Sequence, residues 1–213
     1  MSVTPTVVFL HGLARTSRSL VRLRRLVEKE GFNTWANSYP SRKLSIGQLA
    51  DELAGDIRTA TSDGPLIGVT HSLGGILVRH MRDRLNWRGL VMLAPPNNGS
   101  KIAVQLRDNG LFKAVYGPAG FEVAVERQWP SPPLPFGVIA GTKSLSLSNP
   151  TSWLTGGLRM FPEGVQNDGT LSVDETRHPE MHCFATVDAS HTWIMNHPET
   201  HRLVLRFLKT GVF

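Results

Sequence analysis

The sequence predicts an α/β protein with a mostly parallel central sheet and helices on both faces. Short apolar runs alternate with amphipathic segments along most of the 213 residues, a pattern typical of strands joined by crossover helices. The composition, 40% hydrophobic with a single cysteine, allows one substantial core without disulfides. We therefore expect a single domain over residues 1–213. The predicted strands are 5–11, 33–39, 65–70, 88–94, 136–141 and 181–187.

Four helices are predicted around these strands. Ser45 suits an N-cap, and the apolar residues that follow it recur at helical spacing, as on one face of a helix. Pro198 suits the first turn of the last helix, because its missing N–H would have no partner there. The predicted helices are 16–29, one that begins after Ser45, 73–85, and 199–209.

Two segments interrupt this alternation. Residues 97–135 are too many for a plain connection, so we expect a small cap here, with helices at 100–107 and 121–128. Residues 143–164 are rich in Ser, Gly and Pro but carry large apolar side chains, Trp153 and Leu154 among them. These side chains either pack on the core or line an acyl-binding pocket.

A turn rich in small residues interrupts the apolar segment 66–78 at Ser72. Such a turn between strand and helix is typical of a nucleophile elbow, which lifts a serine clear of the sheet beside a base and free N–H groups. The usual signature is Gly-x-Ser-x-Gly. Here Thr70 replaces the first glycine, whereas Gly74 and an additional Gly75 are present. The alternative interpretation is a structural serine at a tight turn.

Three further motifs accompany this turn. His-Gly-Leu at 11–13 follows the first predicted strand, Asp-Gly-Thr stands at 168–170, and His191 follows the last predicted strand. With its Ser, Asp, His order, the chain resembles the α/β-hydrolase superfamily, and within it the small serine lipases and esterases. The resemblance covers nearly the whole chain. It implies the α/β-hydrolase fold with a cap insertion at 97–135.

The resemblance also implies a role for each motif. Ser72 would be the nucleophile, His191 the general base and Asp168 the acid that orients it, a catalytic triad. The backbone N–H groups of Leu13 and Leu73 would form the oxyanion hole.

Other residues compete for two of these roles. His197 also lies between the last strand and the last helix, and Asp174, Glu175 and Asp188 are alternative acids. The predicted substrate-binding residues are His11, Gly12, His71, Trp153 and Leu154, although His11 also suits a loop-orienting role and His71 a packing role.

The predicted activity is hydrolysis of carboxylic esters through an acyl-enzyme, with a small acyl ester, lipids included, as substrate. The same triad would serve a thioesterase, an amidase or an acyltransferase, and a non-catalytic binding relative is a further alternative, favoured only by Thr70. We expect no metal, because His178 and His182 lack the His-Glu-x-x-His pattern of zinc hydrolases. We expect no cofactor, because the sequence has no phosphate-binding glycine-rich lysine loop and no dinucleotide fingerprint after the first strand.

The net charge is +6, and many basic residues fall on the first predicted helix. The opposite side of that helix carries Leu20, Leu23 and Val27, so the charges are interpreted as a solvated face. Aromatic residues are not interleaved with them as nucleic-acid binding requires. We therefore expect no nucleic-acid partner, and at most weak association with anionic surfaces. With no signal peptide and no apolar run of roughly 20 residues, the expected location is cytoplasmic.

Overall fold

The computed structural model describes residues 4–125, 129–144 and 161–213. Within these residues, one sheet contains six strands, all paired in parallel. The strands are β1 (Thr6–Leu10), β2 (Thr34–Trp35), β3 (Leu66–His71), β4 (Trp87–Leu93), β5 (Phe136–Gly141) and β6 (Cys183–Val187). Their order across the sheet is β2-β1-β3-β4-β5-β6. The predicted α/β class with a parallel sheet is confirmed.

Helices precede or follow most of these strands along the chain. The α-helices are α1 (Val21–Lys29), α2 (Ile46–Thr61), α3 (Leu73–His80), α4 (Lys101–Leu106), α5 (Gly110–Val125), α6 (Val173–Thr176) and α7 (Pro198–Thr210). Shorter 3-10 turns cover Ser17–Leu20, Arg82–Arg84 and Ile194–Asn196.

The sheet divides the core into two layers. Val7 and Phe9 of β1 belong to a cluster that includes residues of α1 and α7. Val8 and Leu10 belong to the opposite cluster, with residues of α2 and α3. This division follows from the strand itself, because successive side chains point to opposite faces.

Local sequence signals set several helix boundaries. The Ser45 hydroxyl accepts a hydrogen bond from Gln48 N at 3.2 Å, and Gln48 Oε1 accepts one from Ser45 N at 3.0 Å. This capping box satisfies two backbone donors that a helix start leaves unpaired. The predicted N-cap of the second helix is therefore confirmed.

The second strand is shorter than the predicted 33–39, since β2 contains only Thr34–Trp35. Tyr39 explains the difference. Its backbone N–H donates to His11 Nε2 at 3.2 Å, and its ring stacks on the His11 ring. The chain therefore leaves the ladder after Trp35 to reach the loop that follows β1.

Two predicted helices also have different bounds. The helix after Ser72 ends at His80 rather than near residue 85, and Arg82–Arg84 form a separate 3-10 turn. The helix predicted at 121–128 begins at Gly110 as part of α5. Within α5, Gly117 has φ 64° and ψ −163°. This kink ends one helical segment, and Pro118 begins the next, where proline is tolerated.

The strand order places a switch point between β1 and β3. The chain extends from β1 to β2 on one side and from β3 to β4 on the other. In open parallel sheets, this arrangement leaves a crevice at the carboxyl ends of the two strands. The loop at 11–13 and the turn at Ser72 both begin at these ends.

Gly74 lies where α3 crosses β1, and alanine there is expected to destabilise the protein. A Cβ on Gly74 would lie 2.5 Å from Leu10 O and 2.9 Å from Leu10 C. Because both atoms are backbone, α3 would have to move. We expect the Gly74→Ala change to lower the free energy of unfolding by about 2–3 kcal/mol, measured by chemical denaturation.

Gly55 provides the matched control. It lies inside α2, and no atom lies within 4 Å of a Cβ built there. The Gly55→Ala change should raise the free energy of unfolding by about 0.5–1 kcal/mol, since alanine loses less entropy in a helix. Equal effects of the two changes would contradict the close approach at Gly74.

In the described part of the chain, none of the helices combines the length and the apolar character needed to cross a membrane.

Candidate active site

Ser72 stands at the turn between β3 and α3. Its backbone has φ 51° and ψ −119°, a conformation that non-glycine residues rarely adopt and that clusters at functional sites. Ser72 N donates to Leu93 O at 2.9 Å, which fixes the turn against β4. The side chain does not cap α3. The half-buried hydroxyl has no hydrogen-bond partner in residues 4–125, 129–144 and 161–213, so it is not committed to a structural role.

The structure explains how the turn accepts Thr70 in place of glycine. The Thr70 hydroxyl is buried and donates to Val91 O at 3.3 Å. A Cβ on Gly75 would lie 3.3 Å from Thr70 Oγ1 and 2.6 Å from Met92 Cε. The additional glycine therefore leaves the space that the threonine side chain and Met92 occupy.

The loop after β1 packs directly against the Ser72 turn. A Cβ on Gly12 would lie 3.2 Å from Ser72 Cβ and 2.7 Å from His71 Nδ1. Only glycine allows this approach. Leu13 follows Gly12 in the chain, and Leu73 follows Ser72. Neither backbone N–H is hydrogen bonded to another described residue. The two predicted oxyanion donors are thus unpaired at adjoining positions.

His11 holds this loop from inside the core. Its Nδ1 lies 2.8 Å from Gly12 O, and its Nε2 accepts from Tyr39 N. Because a carbonyl only accepts and an N–H only donates, the ring is neutral with its proton on Nδ1. Burial lowers the pKa of His11, which agrees with a neutral ring. The His11 side chain is fully buried, so it contacts the loop and not solvent.

Tyr39 was missed by the sequence analysis. Its ring stacks on His11 with 3.8 Å between centroids, and its hydroxyl donates to His11 O. Burial raises the pKa of Tyr39. His11 directly follows β1, whereas Tyr39 lies beyond the end of β2, so no local pattern links them.

His191 and Asp168 form a buried pair at the opposite side of the turn. His191 Nδ1 lies 2.8 Å from Asp168 Oδ2, and Asp168 is 1% exposed. Asp168 Oδ1 accepts from Thr170 N at 2.9 Å and from Leu171 N at 2.7 Å. His191 N also donates to Asp168 O at 2.9 Å. The carboxylate is therefore held in one orientation, and it fixes the imidazole.

The competing residues have other partners or positions. His197 caps α7 by accepting from Glu199 N at 3.2 Å. Asp174 is exposed and lies 3.8 Å from the Arg177 guanidinium. Glu175 accepts from the Ser172 backbone and hydroxyl in a capping box, and Asp188 is exposed. Among the predicted candidates, only Asp168 is hydrogen bonded to His191.

His71 links the His191 loop to the Ser72 turn. Its Nε2 donates to His191 O at 2.9 Å, and the two rings lie 4.8 Å apart. Burial lowers the pKa of His71 well below its ordinary value, so the ring is neutral. Since His71 directly precedes Ser72 in the chain, this bond places the His191 loop beside the serine.

Gly141 is a second residue that the sequence analysis missed. A Cβ there would lie 2.4 Å from Ala189 O and 2.8 Å from Asp168 Cβ. The glycine thus lets the two loops that carry His191 and Asp168 approach each other at the end of β5. A glycine that ends an apolar strand is a signal for such an approach.

Two further predictions concern substrate-binding residues and metal ligands. Trp153 and Leu154, predicted to bind substrate, lie outside the described residues. Among residues 4–125, 129–144 and 161–213, no three His, Cys, Asp or Glu side chains are grouped as metal ligands.

Comparisons with known proteins support the fold. No family model matches the sequence. Protein SERAC1 of Mus musculus is 32% identical over 84 residues, which cover 34% of this chain and only 13% of that protein. Among solved structures, the mature form of Bacillus licheniformis lipase BlEst2 matches with a TM-score of 0.77 at 18% identity, over 96% of this chain and 92% of that chain.

Phospholipase PlaB from Legionella pneumophila matches with a TM-score of 0.74 at 19% identity, over 98% of this chain and 60% of that chain. At such identities, the likeness is one of fold. Together with the parallel sheet and its strand order, these matches identify the chain as a protein with the α/β-hydrolase fold.

Proposed function

We propose that this protein is a serine hydrolase that cleaves carboxylic esters through an acyl-enzyme. The observation that carries the proposal is the buried His191–Asp168 pair, tied through His71 to an elbow whose Ser72 hydroxyl is uncommitted. The lipase and phospholipase among the structural neighbours support the same class of reaction.

The tautomer of His191 suits a general base. Asp168 accepts a hydrogen bond from the protonated Nδ1, which leaves the Nε2 lone pair free to take a proton. In the proposed reaction, Nε2 removes the Ser72 hydroxyl proton as Oγ attacks the ester carbonyl. The imidazolium then donates this proton to the leaving alkoxide, and the bond from the carbonyl carbon to the alcohol oxygen breaks.

Hydrolysis of the acyl-enzyme repeats these steps with water. His191 takes a proton from water, the resulting hydroxide attacks the acyl carbonyl, and Ser72 recovers its proton as the acid leaves. In both halves the negative oxygen of the tetrahedral intermediate would accept from the Leu13 and Leu73 N–H groups. Donors that are already in place stabilise this charge without reorganisation.

The hydrogen bond between Ser72 and His191 would form when substrate binds. The free protein has no such bond, and catalytic hydrogen bonds commonly tighten only in the complex. Because Asp168 holds the His191 ring and His71 holds the His191 backbone, the bond would form by rotation of the Ser72 hydroxyl about its Cα–Cβ bond.

Labelling with a fluorophosphonate tests the proposal, since the reagent modifies only an activated serine. We expect one covalent adduct on Ser72 of the native protein, located by peptide mass spectrometry. The Ser72→Ala variant and heat-unfolded protein should remain unlabelled. Native protein that does not react would contradict the proposal and favour a non-catalytic binding relative.

Hydrolysis rates on a panel of substrates identify the type of acyl bond that the protein cleaves. p-Nitrophenyl esters of increasing chain length, measured beside a matched thioester and a matched amide, separate an esterase or lipase from a thioesterase or an amidase.

A further inference from the structure

Arg15 is a half-buried cation without a partner in the part of the chain that the structure describes. It follows the loop at 11–13, and its Nε is buried with no hydrogen-bond partner among residues 4–125, 129–144 and 161–213. None of the ion pairs between described residues includes it. A guanidinium removed from water normally pairs with a carboxylate or with carbonyl oxygens. Arg15 therefore carries a desolvation cost that the described residues do not offset.

Arg79 shows how this fold satisfies a buried guanidinium elsewhere. Its Nη1 donates to Asn97 Oδ1 at 2.9 Å, its Nη2 to Trp129 O at 3.0 Å and its Nε to Pro130 O at 2.5 Å. These bonds attach the segment that precedes β5 to α3. The unpaired state of Arg15 is thus a property of its own location.

The location is beside the proposed reaction centre. Besides burial, which is the larger effect, the positive charge of Arg15 contributes to lowering the pKa of both His11 and His71. Gly12, three positions earlier, packs against His71 and Ser72. An ester bound at Ser72 would therefore lie close to an unneutralised positive charge.

We propose that Arg15 binds an anionic group, a phosphate or a carboxylate, carried by the ester substrate itself. This inference rests on the proposed esterase function and names the class of ester. A guanidinium presents paired N–H donors that match two oxygens of such a group. Binding it would satisfy the buried Nε, and the positive charge would favour anionic esters over neutral esters of the same length.

Matched substrate pairs test the proposal. One pair is monohexanoyl glycerol and monohexanoyl glycerol phosphate, and the other is p-nitrophenyl hexanoate and mono-p-nitrophenyl adipate. We expect wild-type kcat/KM to be higher for the anionic member of at least one pair, which tells phosphate from carboxylate. The Arg15→Gln change should lower kcat/KM for that anionic ester by about 10- to 100-fold. For the neutral ester, the change should be under about 3-fold.

Two variants serve as controls. Arg15→Lys keeps the charge but not the paired donors, so it should retain part of the preference. Arg18→Gln removes an exposed charge from the same segment and should leave the ratio of anionic to neutral kcat/KM unchanged. Equal losses on both substrates in Arg15→Gln would mean a structural role and would overturn the proposal, as would an unchanged ratio.

A binding measurement separates this inference from the proposed function. Calorimetry with the Ser72→Ala protein reports binding of each ester without turnover, with and without Arg15→Gln. A wild-type protein that hydrolyses neutral esters but shows no preference that depends on Arg15 would overturn only the anionic subsite. A protein that hydrolyses no ester would overturn the proposed function, and loss of anionic-ester binding on Arg15→Gln would still support the subsite.

Discussion

Replacing Ser72 with alanine is expected to lower kcat for a p-nitrophenyl ester by about 10⁴- to 10⁶-fold. Without Oγ no acyl-enzyme forms, and the remaining donors and the base can only assist direct attack by water. The measurement is the initial rate of p-nitrophenol release from purified wild-type and variant protein. A variant that retains more than about 1% of the wild-type rate would contradict the role of Ser72.

The same change should leave stability almost unaltered. The Ser72 side chain neither caps α3 nor hydrogen bonds to a described residue. Alanine and serine are also strained similarly at φ 51°, because both carry a Cβ. We expect the free energy of unfolding to change by less than about 0.5 kcal/mol.

Ser45 gives the opposite result and so serves as the control. Its hydroxyl caps α2 through Gln48 N, and Ser45→Ala should lower the free energy of unfolding by about 1 kcal/mol. The rate of ester hydrolysis should stay close to wild type. Loss of activity without loss of stability at Ser72, and the reverse at Ser45, would separate a catalytic role from a structural one.

The sequence predicted those parts of the fold that local signals determine. β5 has the predicted bounds, Phe136–Gly141, because an apolar run stands between Pro135 and a turn. The N-cap at Ser45 has a local chemical cause. The turn at Ser72 was recognised because small residues separate two apolar runs.

Features that depend on distant residues could not be predicted in this way. β2 is short because Tyr39 bonds to His11, a contact across 28 positions. The chain accepts Thr70 because Gly75 and β4 provide the space. Such contacts can be recognised only in the packed structure, since each depends on a neighbour that the sequence alone does not identify.

The candidate site also contains residues that could be predicted from the sequence and one that could not. The positions of His191 and Asp168 followed from motif order, and the structure shows that they contact each other. The unpaired state of Arg15 had no sequence signal, because it is defined by the lack of a partner among the described residues. A charged residue is informative here only after its surroundings are known.

Replacing Asp168 with asparagine is expected to lower kcat by about 10³- to 10⁴-fold at neutral pH. The reason is the orientation of the new amide. Oδ1 of Asp168 accepts from two backbone N–H groups, those of Thr170 and Leu171. The amide oxygen must take this place, which leaves the amide NH₂ facing His191 Nδ1.

Two donors cannot face each other, so the imidazole proton would move from Nδ1 to Nε2. A protonated Nε2 cannot accept the proton of Ser72, and the base would be lost although every residue stays in position. Initial rates test this, with Asp174→Asn as the matched control. That carboxylate is exposed and does not contact His191, so its loss should change kcat by less than about 2-fold. A large loss at Asp174 with none at Asp168 would assign the acid to Asp174 instead, despite the 2.8 Å contact between His191 and Asp168.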